Sequence, residues 1–402
     1  MRHPRLLRVA APVVALLCAG LTACGSSDSG SSSTPNPSSS TSKSTIVIGN
    51  VGQYSGTPLA AQYGQSLHSL QAWVQWTNDH GGINGHPVKL VSHDDAGNPA
   101  KSLQFVREMV EKDHIVALLD SMGSDDAWAN YLKQKKVPAL GGSTLSAPWT
   151  ENPYMLSANV NTTGYLTSQV GAAKAVGDKV GEFVCAEVVA CQAGIPIFQK
   201  ITEQLGLGWA GAQKVSGSAT DYVASCLAMK EAGANVVAQN VAGSVAIRVV
   251  KDCQQQGFDP AIVMPAATMS SDVVADAAFN GTLGVNASPL WFGDADFTRD
   301  WKQTYAKMFP DEVNSLNGFS TLGWQAGVVF AKALENAPDA VTPDTVLQGL
   351  YAQPAGSTYG GWTPPLTYLP GEPAQTKSCM WYAQLENGKF TAPKGYQAVC
   401  AS

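Results

Sequence analysis

The chain has 402 residues, of which 14% are charged and 45% are hydrophobic, with 25 Lys and Arg against 31 Asp and Glu. This length and apolar content favour a globular body with a large core, divided into two domains. The formal net charge of −6 and the lack of any cluster of basic residues exclude nucleic acid as a partner.

Residues 1–23 have the pattern of an export signal. Three arginines within the first eight residues precede an apolar run from Val9 to Ala19, which is shorter than the roughly 20 apolar residues of a membrane-spanning helix. The sequence LTAC at 21–24 resembles a bacterial lipobox, and this resemblance implies cleavage before Cys24 and lipid attachment to its sulfur. The alternative is a plain export signal in which Cys24 occurs by chance.

Residues 24–44 form a Ser-rich segment that is predicted to be a disordered tether. Almost every residue in it is Ser, Thr, Gly, Pro or Asn, and such a segment buries too little apolar surface to offset its chain entropy. A flexible tether of this length spans roughly 25 Å. The predicted location is therefore the extracytoplasmic face of the cell membrane, with the body held by a lipid anchor.

The first half of the body alternates short apolar runs with helical periods. Leu67, Leu70 and Val74 form the stripe of a helix that stops at Gly81-Gly82, and Asn98-Pro99 is a helix start with a capping residue. Asp125 to Gln134 is a further helix. Strands are predicted at 46–48, 88–91, 115–119 and 137–140.

The same rhythm restarts in the second half, where helices are predicted at 169–176, 195–205, 221–231 and 245–255 and strands at 180–185, 212–215, 235–238 and 261–263. Near the end, Asn387-Gly388 predicts a hairpin turn. Two βαβ series indicate two parallel sheets covered by helices, with ligands bound outside the carboxyl ends of the strands. The predicted division places residues 45–158 and 285–352 in lobe 1, and 159–284 and 353–402 in lobe 2.

Six cysteines follow Cys24, an even number that suggests disulfides in an exported protein. Six cysteines allow 15 pairings, of which we favour the sequential set. A metal site is not expected, because the body has no C-x-x-C motif and no histidine near these cysteines. The favoured pairs are Cys185–Cys191, Cys226–Cys253 and Cys379–Cys400.

Several short motifs near the start of the body resemble one protein family. Ser55-Gly56, Tyr63-Gly64, the stretch NDHGGINGHP at 78–87 and Asp94-Asp95 resemble the opening of type I periplasmic binding proteins, closest to the leucine/isoleucine/valine-binding proteins of ABC importers. The resemblance covers roughly residues 45–370. It implies an α/β fold of two Rossmann-like lobes joined by three hinge crossovers, which close on a small solute.

The resemblance also implies a ligand site at strand-to-helix turns of the first lobe, where backbone amides and hydroxyls hold a carboxylate. A helix N-terminus suits this role, since its unpaired N–H groups carry partial positive charge. Two aromatic residues match positions that pack on the ligand, although both residue types are also common in cores. The matching residues are Gly123, Ser124, Gly142, Ser143, Thr144, Ser146 as an alternative register, and the aromatics Tyr63 and Phe319.

The second lobe departs from the pattern of amino-acid-binding relatives. Pro265 matches, but Ala266 and Ala267 follow where an acid pairs with the ligand's ammonium group, and a second acid position falls in the polar stretch 159–163. Glu187 is a candidate replacement, with a solvated loop charge as the alternative. The expected solute is therefore a branched-chain amino acid or another small carboxylate or amide.

The body carries no nucleophile-elbow, P-loop, zincin or dinucleotide-binding motif, so an enzyme is not expected and no cofactor is implied. We expect a monomeric, lipid-anchored solute-binding component of an ABC importer, with the permease as its partner. The alternative is a tethered sensor of the same fold that signals to a membrane partner.

Overall fold

The computed structural model describes residues 43–57, 59–186 and 189–401, with the backbone alone at 189 and 190. No helix within these ranges has the length and apolar character of a membrane span. The predicted signal peptide, Cys24, nearly all of the tether and Glu187 lie outside the described residues.

The first sheet contains five parallel strands in the order β2-β1-β3-β4-β5. The predicted strand at 115–119 is shorter in the structure and begins at Ala117. The strands are β1 (Ile46–Gly52), β2 (Val88–Asp94), β3 (Ala117–Leu119), β4 (Ala139–Leu140) and β5 (Met155–Leu156).

Helices cover both faces of this sheet. The N-terminal cap predicted at Asn98 is confirmed, because its side chain accepts hydrogen bonds from the backbone N–H groups of Ala100 and Lys101. Ile48 and Trp73 belong to the core cluster on one face, and the opposite face has a separate cluster. The helices are α1 (Ala60–Asp79), α2 (Pro99–Glu111), α3 (Asp125–Lys135) and α4 (Pro148–Glu151).

The second sheet combines parallel and antiparallel strands, in the order β14-β13-β10-β9-β8-β6-β7 with β15 paired to β13. Its parallel strands are β6 (Lys179–Cys185), β7 (Gly208–Val215), β8 (Val236–Asn240), β9 (Ala261–Pro265) and β10 (Leu283–Asn286). Its antiparallel strands are β13 (Cys379–Glu386), β14 (Lys389–Thr391) and β15 (Val399–Cys400). The hairpin predicted at Asn387-Gly388 is confirmed by the pairing of β13 with β14.

Within the described residues, six α-helices accompany the second sheet. The first begins at Thr162 rather than at the predicted Gln169, because the side chain of Asn161 accepts a hydrogen bond from the backbone N–H of Gly164 and caps the helix there. The helices are α5 (Thr162–Lys174), α6 (Val189–Ala193), α7 (Ile195–Gln204), α8 (Val223–Glu231), α9 (Gly243–Gln255) and α10 (Ser271–Ala275).

The chain passes between the two sheets three times, as the predicted fold class requires. It leaves the first sheet between β5 and α5, returns after β10, and crosses again between the helix at 343–351 and β13. On the return, α11 (Arg299–Met308) and α12 (Leu322–Ala333) pack on α1, and α13 (Pro343–Tyr351) packs on α12.

The segment after α13 joins the two lobes. Trp362 and Leu366 belong to the core cluster of the first sheet, where a small antiparallel pair forms from β11 (Leu366–Thr367) and β12 (Gln375–Thr376). The hydroxyl of Tyr368 donates to the carbonyl oxygen of Ser157 at 2.8 Å, which ties the third crossover to the first. The lobe boundaries given above stay a prediction.

All three sequential disulfides are present, at Cys185–Cys191, Cys226–Cys253 and Cys379–Cys400. The second joins α8 to α9 within the core cluster of its lobe. The third closes β15 onto β13. The three bonds therefore lie in the second lobe and its C-terminal extension.

Removing the Cys226–Cys253 bond with a pair of Cys→Ala substitutions is expected to lower the free energy of unfolding by about 3.5 kcal/mol. The bond joins residues 27 apart in sequence, whereas Cys185–Cys191 joins residues 6 apart, so the matching pair of substitutions there is expected to lower it by only about 2 kcal/mol. Urea denaturation of both variants measures the difference. A larger loss for the Cys185/Cys191 variant would contradict this ranking.

Candidate functional site

The turns that follow β1, β3 and β4 meet at the carboxyl edge of the first sheet. A Cβ atom on Gly142 would lie 2.3 Å from the carbonyl oxygen of Ser121, and one on Gly123 would lie 2.5 Å from Nε2 of Gln53. Both glycines also have positive φ, at 82° and 84°, a conformation that favours glycine, and at Gly142 the close contact is with backbone. The structure thus brings the predicted Gly123 and Gly142 turns together.

The N-terminus of α3 contributes a second part of this edge. Ser124 precedes the helix in the left-handed conformation (φ 58°), and its side chain makes no capping hydrogen bond. The next residue, Asp125, is buried, and its Oδ2 accepts hydrogen bonds from Ser146 Oγ at 3.0 Å and from Trp149 Nε1 at 2.8 Å. Ser124 and Ser146 are therefore neighbours of one buried carboxyl.

The two predicted aromatic residues form a pair. The rings of Tyr63, on α1, and Phe319 are 5.2 Å apart in an edge-to-face arrangement, and both side chains are half-buried rather than enclosed in a core. Burial and the nearby charge of Asp125 raise the pKa of Tyr63 to about 12. The aromatic pair therefore adjoins the N-terminus of α3 at the same edge.

Thr144 lies deeper than the other predicted residues. Its side chain is 1% exposed, and its hydroxyl donates to the carbonyl oxygen of Val160 at 2.7 Å and contacts Oδ1 of Asn159. Asn159 in turn donates from Nδ2 to the carbonyl oxygen of Gly142 at 3.0 Å. Thr144 thus connects the turn after β4 to the first crossover, whereas Ser143 is half-buried on that turn.

Two buried acids at this edge were missed by the sequence analysis. Asp120 directly follows β3, and its Oδ2 accepts a hydrogen bond from Ser66 Oγ at 2.8 Å. Burial raises the pKa of Asp120 to about 8 and, as the main cause, that of Asp125 to about 7. Asp95, part of the family resemblance, is also fully buried, and burial raises its pKa. An acid directly after the apolar run 115–119 was the available signal.

Ala266 and Ala267 follow Pro265 in the second lobe, where the sequence resemblance implies an acid. Ala266 is fully buried against the core, and a Cβ atom on Gly318 would lie 2.9 Å from Cα of Ala267. Asn159 and Asn161 in the polar stretch 159–163 make the structural hydrogen bonds described above. The loop that carries Phe319 thus packs directly against the segment after β9.

Glu182 is a buried acid of the second lobe that the sequence analysis also missed. It lies within β6, is 2% exposed, and accepts a hydrogen bond from Asn240 Nδ2 at 2.8 Å. Asn240 and Gln169 exchange two further amide hydrogen bonds. Burial raises the pKa of Glu182 to about 7. A lone acid within the otherwise apolar stretch 180–185 was the signal in the sequence.

The model of a family described as periplasmic binding protein matches residues 45–389. A comparison with curated proteins gave no match.

Solved structures share the fold over most of the chain. A branched-chain amino acid ABC transporter from Thermus thermophilus with bound valine is 18% identical, with a TM-score of 0.75 over 89% of this chain and 97% of its own. A solute-binding protein of an ABC transporter from Rhodopseudomonas palustris HaA2, in complex with p-hydroxybenzoic acid, is 18% identical, with a TM-score of 0.72 and coverages of 89% and 98%. An ABC transporter substrate-binding protein from Sphaerobacter thermophilus is 17% identical, with a TM-score of 0.71 and coverages of 89% and 97%.

The buried carboxyl of Asp120 makes the stability of the unliganded protein depend on pH. Its pKa is about 8 in the folded protein against an ordinary value of 3.8, so unfolding releases a proton between these values. The free energy of unfolding therefore falls as pH rises from 5 to 8, by up to about 1.4 kcal/mol per pH unit. Between pH 5 and pH 8, the free energy of unfolding of Asp120→Asn is expected to fall by about 2–4 kcal/mol less than that of the unsubstituted protein.

Urea denaturation at pH 5 and pH 8 measures this effect. Asp126→Asn is the control, because it removes an exposed carboxyl from the first turn of α3 and should leave the pH dependence as in the unsubstituted protein. Equal pH dependence for Asp120→Asn and the unsubstituted protein would show that Asp120 is not the group responsible.

Proposed function

Because the chain belongs to the periplasmic binding protein family, we propose that it is the lipid-anchored solute-binding component of an ABC importer, which captures a small organic solute between two closing lobes. The match over residues 45–389 confirms the family resemblance and the fold class found in the sequence. It also agrees with the expectation that the protein is not an enzyme, since the family consists of binding proteins. The proposed function is then to bind the solute, to close the two lobes on it and to deliver it to the permease.

The observation that carries this proposal is the meeting of three strand-end turns beside a half-buried aromatic pair. Backbone turns without side chains allow close contact with a solute, and the half-buried rings of Tyr63 and Phe319 supply apolar surface next to them. Sites of this kind lie at the carboxyl ends of parallel strands. The proposed ligand-binding residues are Tyr63, Gly123, Ser124, Gly142, Ser143, Thr144, Ser146 and Phe319.

The solute is proposed to be a branched-chain amino acid or another small carboxylate or amide. Two proteins of the same fold hold valine and p-hydroxybenzoic acid, respectively, so the fold accommodates both kinds of molecule. The second lobe closes on the solute by movement at the three crossovers. The permease then recognises the closed form of a monomer.

The proposed lipid anchor is supported by the sequence LTAC at 21–24 and by the Ser-rich tether that follows it. Lipid on Cys24 would hold the body at the extracytoplasmic face of the membrane, within reach of the permease. A tethered sensor would use the same fold and anchor, and uptake of the solute by cells separates it from an importer component.

Tyr63→Ala is expected to weaken solute binding about tenfold or more, because it removes half of the aromatic pair. Calorimetric titration of the mature protein with valine, leucine, isoleucine and a panel of small carboxylates, amides and amines identifies the solute and measures the loss. Tyr131→Ala is the matched control, since Tyr131 lies on α3 and its hydroxyl bonds to Glu111 away from this edge. Equal affinities for the two variants would contradict the proposed site.

Cys24→Ser is expected to abolish labelling of the protein by radioactive palmitate and to leave the signal peptide uncleaved, because the lipobox cysteine is lost. Cys18→Ser is the control, because Cys18 lies within the predicted signal peptide and leaves LTAC intact. Palmitate labelling of Cys24→Ser equal to that of the unsubstituted protein would contradict the lipid anchor without affecting the binding site.

A further inference from the structure

Resting on the proposed function, we propose that Gln65 of α1 is a positioning residue of the solute site, which holds the ring of Phe319 against Tyr63 and does not itself contact the solute. Phe319 lies between the helical turn Pro310–Ser315 and α12, in a segment of residues 315–321 that we call the Phe319 loop. A ring on such a segment depends on contacts from outside the segment to keep its place.

The side-chain amide of Gln65 is hydrogen-bonded to three residues of the Phe319 loop. Its Nε2 donates to the carbonyl oxygen of Ser315 at 2.9 Å. Its Oε1 accepts from Asn317 Nδ2 at 2.8 Å and from Ser320 Oγ at 2.7 Å. Gln65 is 6% exposed and Ser320 is 0% exposed, so water has little access to these bonds. The amide therefore holds the loop on both sides of Phe319.

Hydrogen bonds within the loop carry this constraint to Phe319. Asn317 Oδ1 accepts from the backbone N–H of Phe319 at 2.9 Å, and the backbone N–H of Asn317 donates to Ser320 Oγ at 2.8 Å. The two loop side chains that bond to Gln65 thus also connect to each other and to the backbone that bears the ring. Fixing them fixes the direction in which Phe319 leaves the chain.

Gln65 does not belong to the aromatic pair itself. It lies two positions after Tyr63 on α1, and side chains with that spacing do not face each other on a helix. Tyr63 is half-buried beside Phe319, whereas Gln65 is buried against the loop. One helix thus carries Tyr63 directly and Phe319 through Gln65. Binding sites need such support, since their groups must be held to within about 0.5 Å.

A second anchor holds the Phe319 loop where the chain returns from β10. Asn286 Nδ2 and Ser288 Oγ donate to the carbonyl oxygen of Gly318 at 3.2 Å and 3.1 Å. This anchor grips the loop at one point and leaves it free to turn about that point, whereas Gln65 bonds to residues on either side. A variant without the Gln65 amide is therefore expected to fold with the loop in place but less ordered.

The first experiment measures deuterium exchange of residues 315–321 in the unliganded mature protein. Gln65→Leu has nearly the same shape without the amide, and it is expected to speed exchange there about tenfold or more, because three hydrogen bonds are lost. Gln75→Leu is the matched control, since Gln75 is exposed on the same helix and donates to Asp79 Oδ1. Circular dichroism checks that each variant is folded.

The second experiment is calorimetric titration with valine, leucine, isoleucine and 4-hydroxybenzoate. For the member that binds, Gln65→Leu is expected to weaken binding about fivefold, because the ring pair loses its geometry. In the Phe319→Ala background, the same substitution should change the affinity less than about twofold, because the ring that Gln65 holds is gone. A purely structural role would weaken binding equally in both backgrounds.

Gln65→Glu is a second variant that keeps part of the contact. Its carboxylate retains acceptors for Asn317 and Ser320 and loses only the donor to Ser315. Its exchange rate and affinity are therefore expected to lie between those of Gln65→Leu and the unsubstituted protein. Values equal to or worse than those of Gln65→Leu would count against the role given to the Asn317 and Ser320 bonds.

Unchanged exchange or unchanged affinity in Gln65→Leu would overturn the inference. Equal losses of affinity with and without the Phe319 ring would also overturn it, since Gln65 would then act on the solute by another route. Should Phe319→Ala bind as tightly as the unsubstituted protein, or should the folded protein bind no solute of the panel, the proposed site itself is contradicted and the inference falls with it. The affinity of Phe319→Ala therefore separates the two failures.

Discussion

The candidate site depends on the direct contact between two backbone turns, one after β3 and one after β4. At Gly142 the backbone approaches the Ser121 carbonyl so closely that a Cβ atom would lie at 2.3 Å, and the conformation there is left-handed. Gly123 has positive φ as well, and a Cβ atom there would meet the end of the Gln53 side chain, which extends from the turn after β1. A larger residue at Gly142 would force the turns after β3 and β4 apart.

The same turns are connected to the movement that the proposed function requires. Through Thr144 and Asn159, the turn after β4 is hydrogen-bonded to the first crossover at Val160 and back to Gly142. The proposed solute site is therefore joined by hydrogen bonds to one of the three crossovers between the sheets. On the opposite side, Phe292 stacks on Phe390 at 5.2 Å, so an aromatic contact joins the return crossover to the C-terminal hairpin.

The buried acids give this edge its chemical character. Asp120 and Asp125 are each buried with one carboxylate oxygen that has no hydrogen-bond partner in the described part of the protein. Burial of a carboxyl without a cation is unfavourable for its ionised form. Burial therefore raises the pKa values of Asp120 and Asp125, and the stability of the folded protein is expected to fall as pH rises.

The sequence by itself determined the alternating elements, the helix cap at Asn98, the hairpin at Asn387-Gly388 and the sequential disulfides, because each depends on residues close together in the chain. It also located the glycine turns, whose conformational demand is local. Only the tertiary structure decided which side chains those turns bring into contact. Ser66 and Asp120 are 54 positions apart in sequence, and Ser146 and Asp125 are 21 apart, so no local pattern shows that these hydroxyls donate to buried acids. Burial, which raises the pKa of those acids, exists only once the sheets and helices have packed.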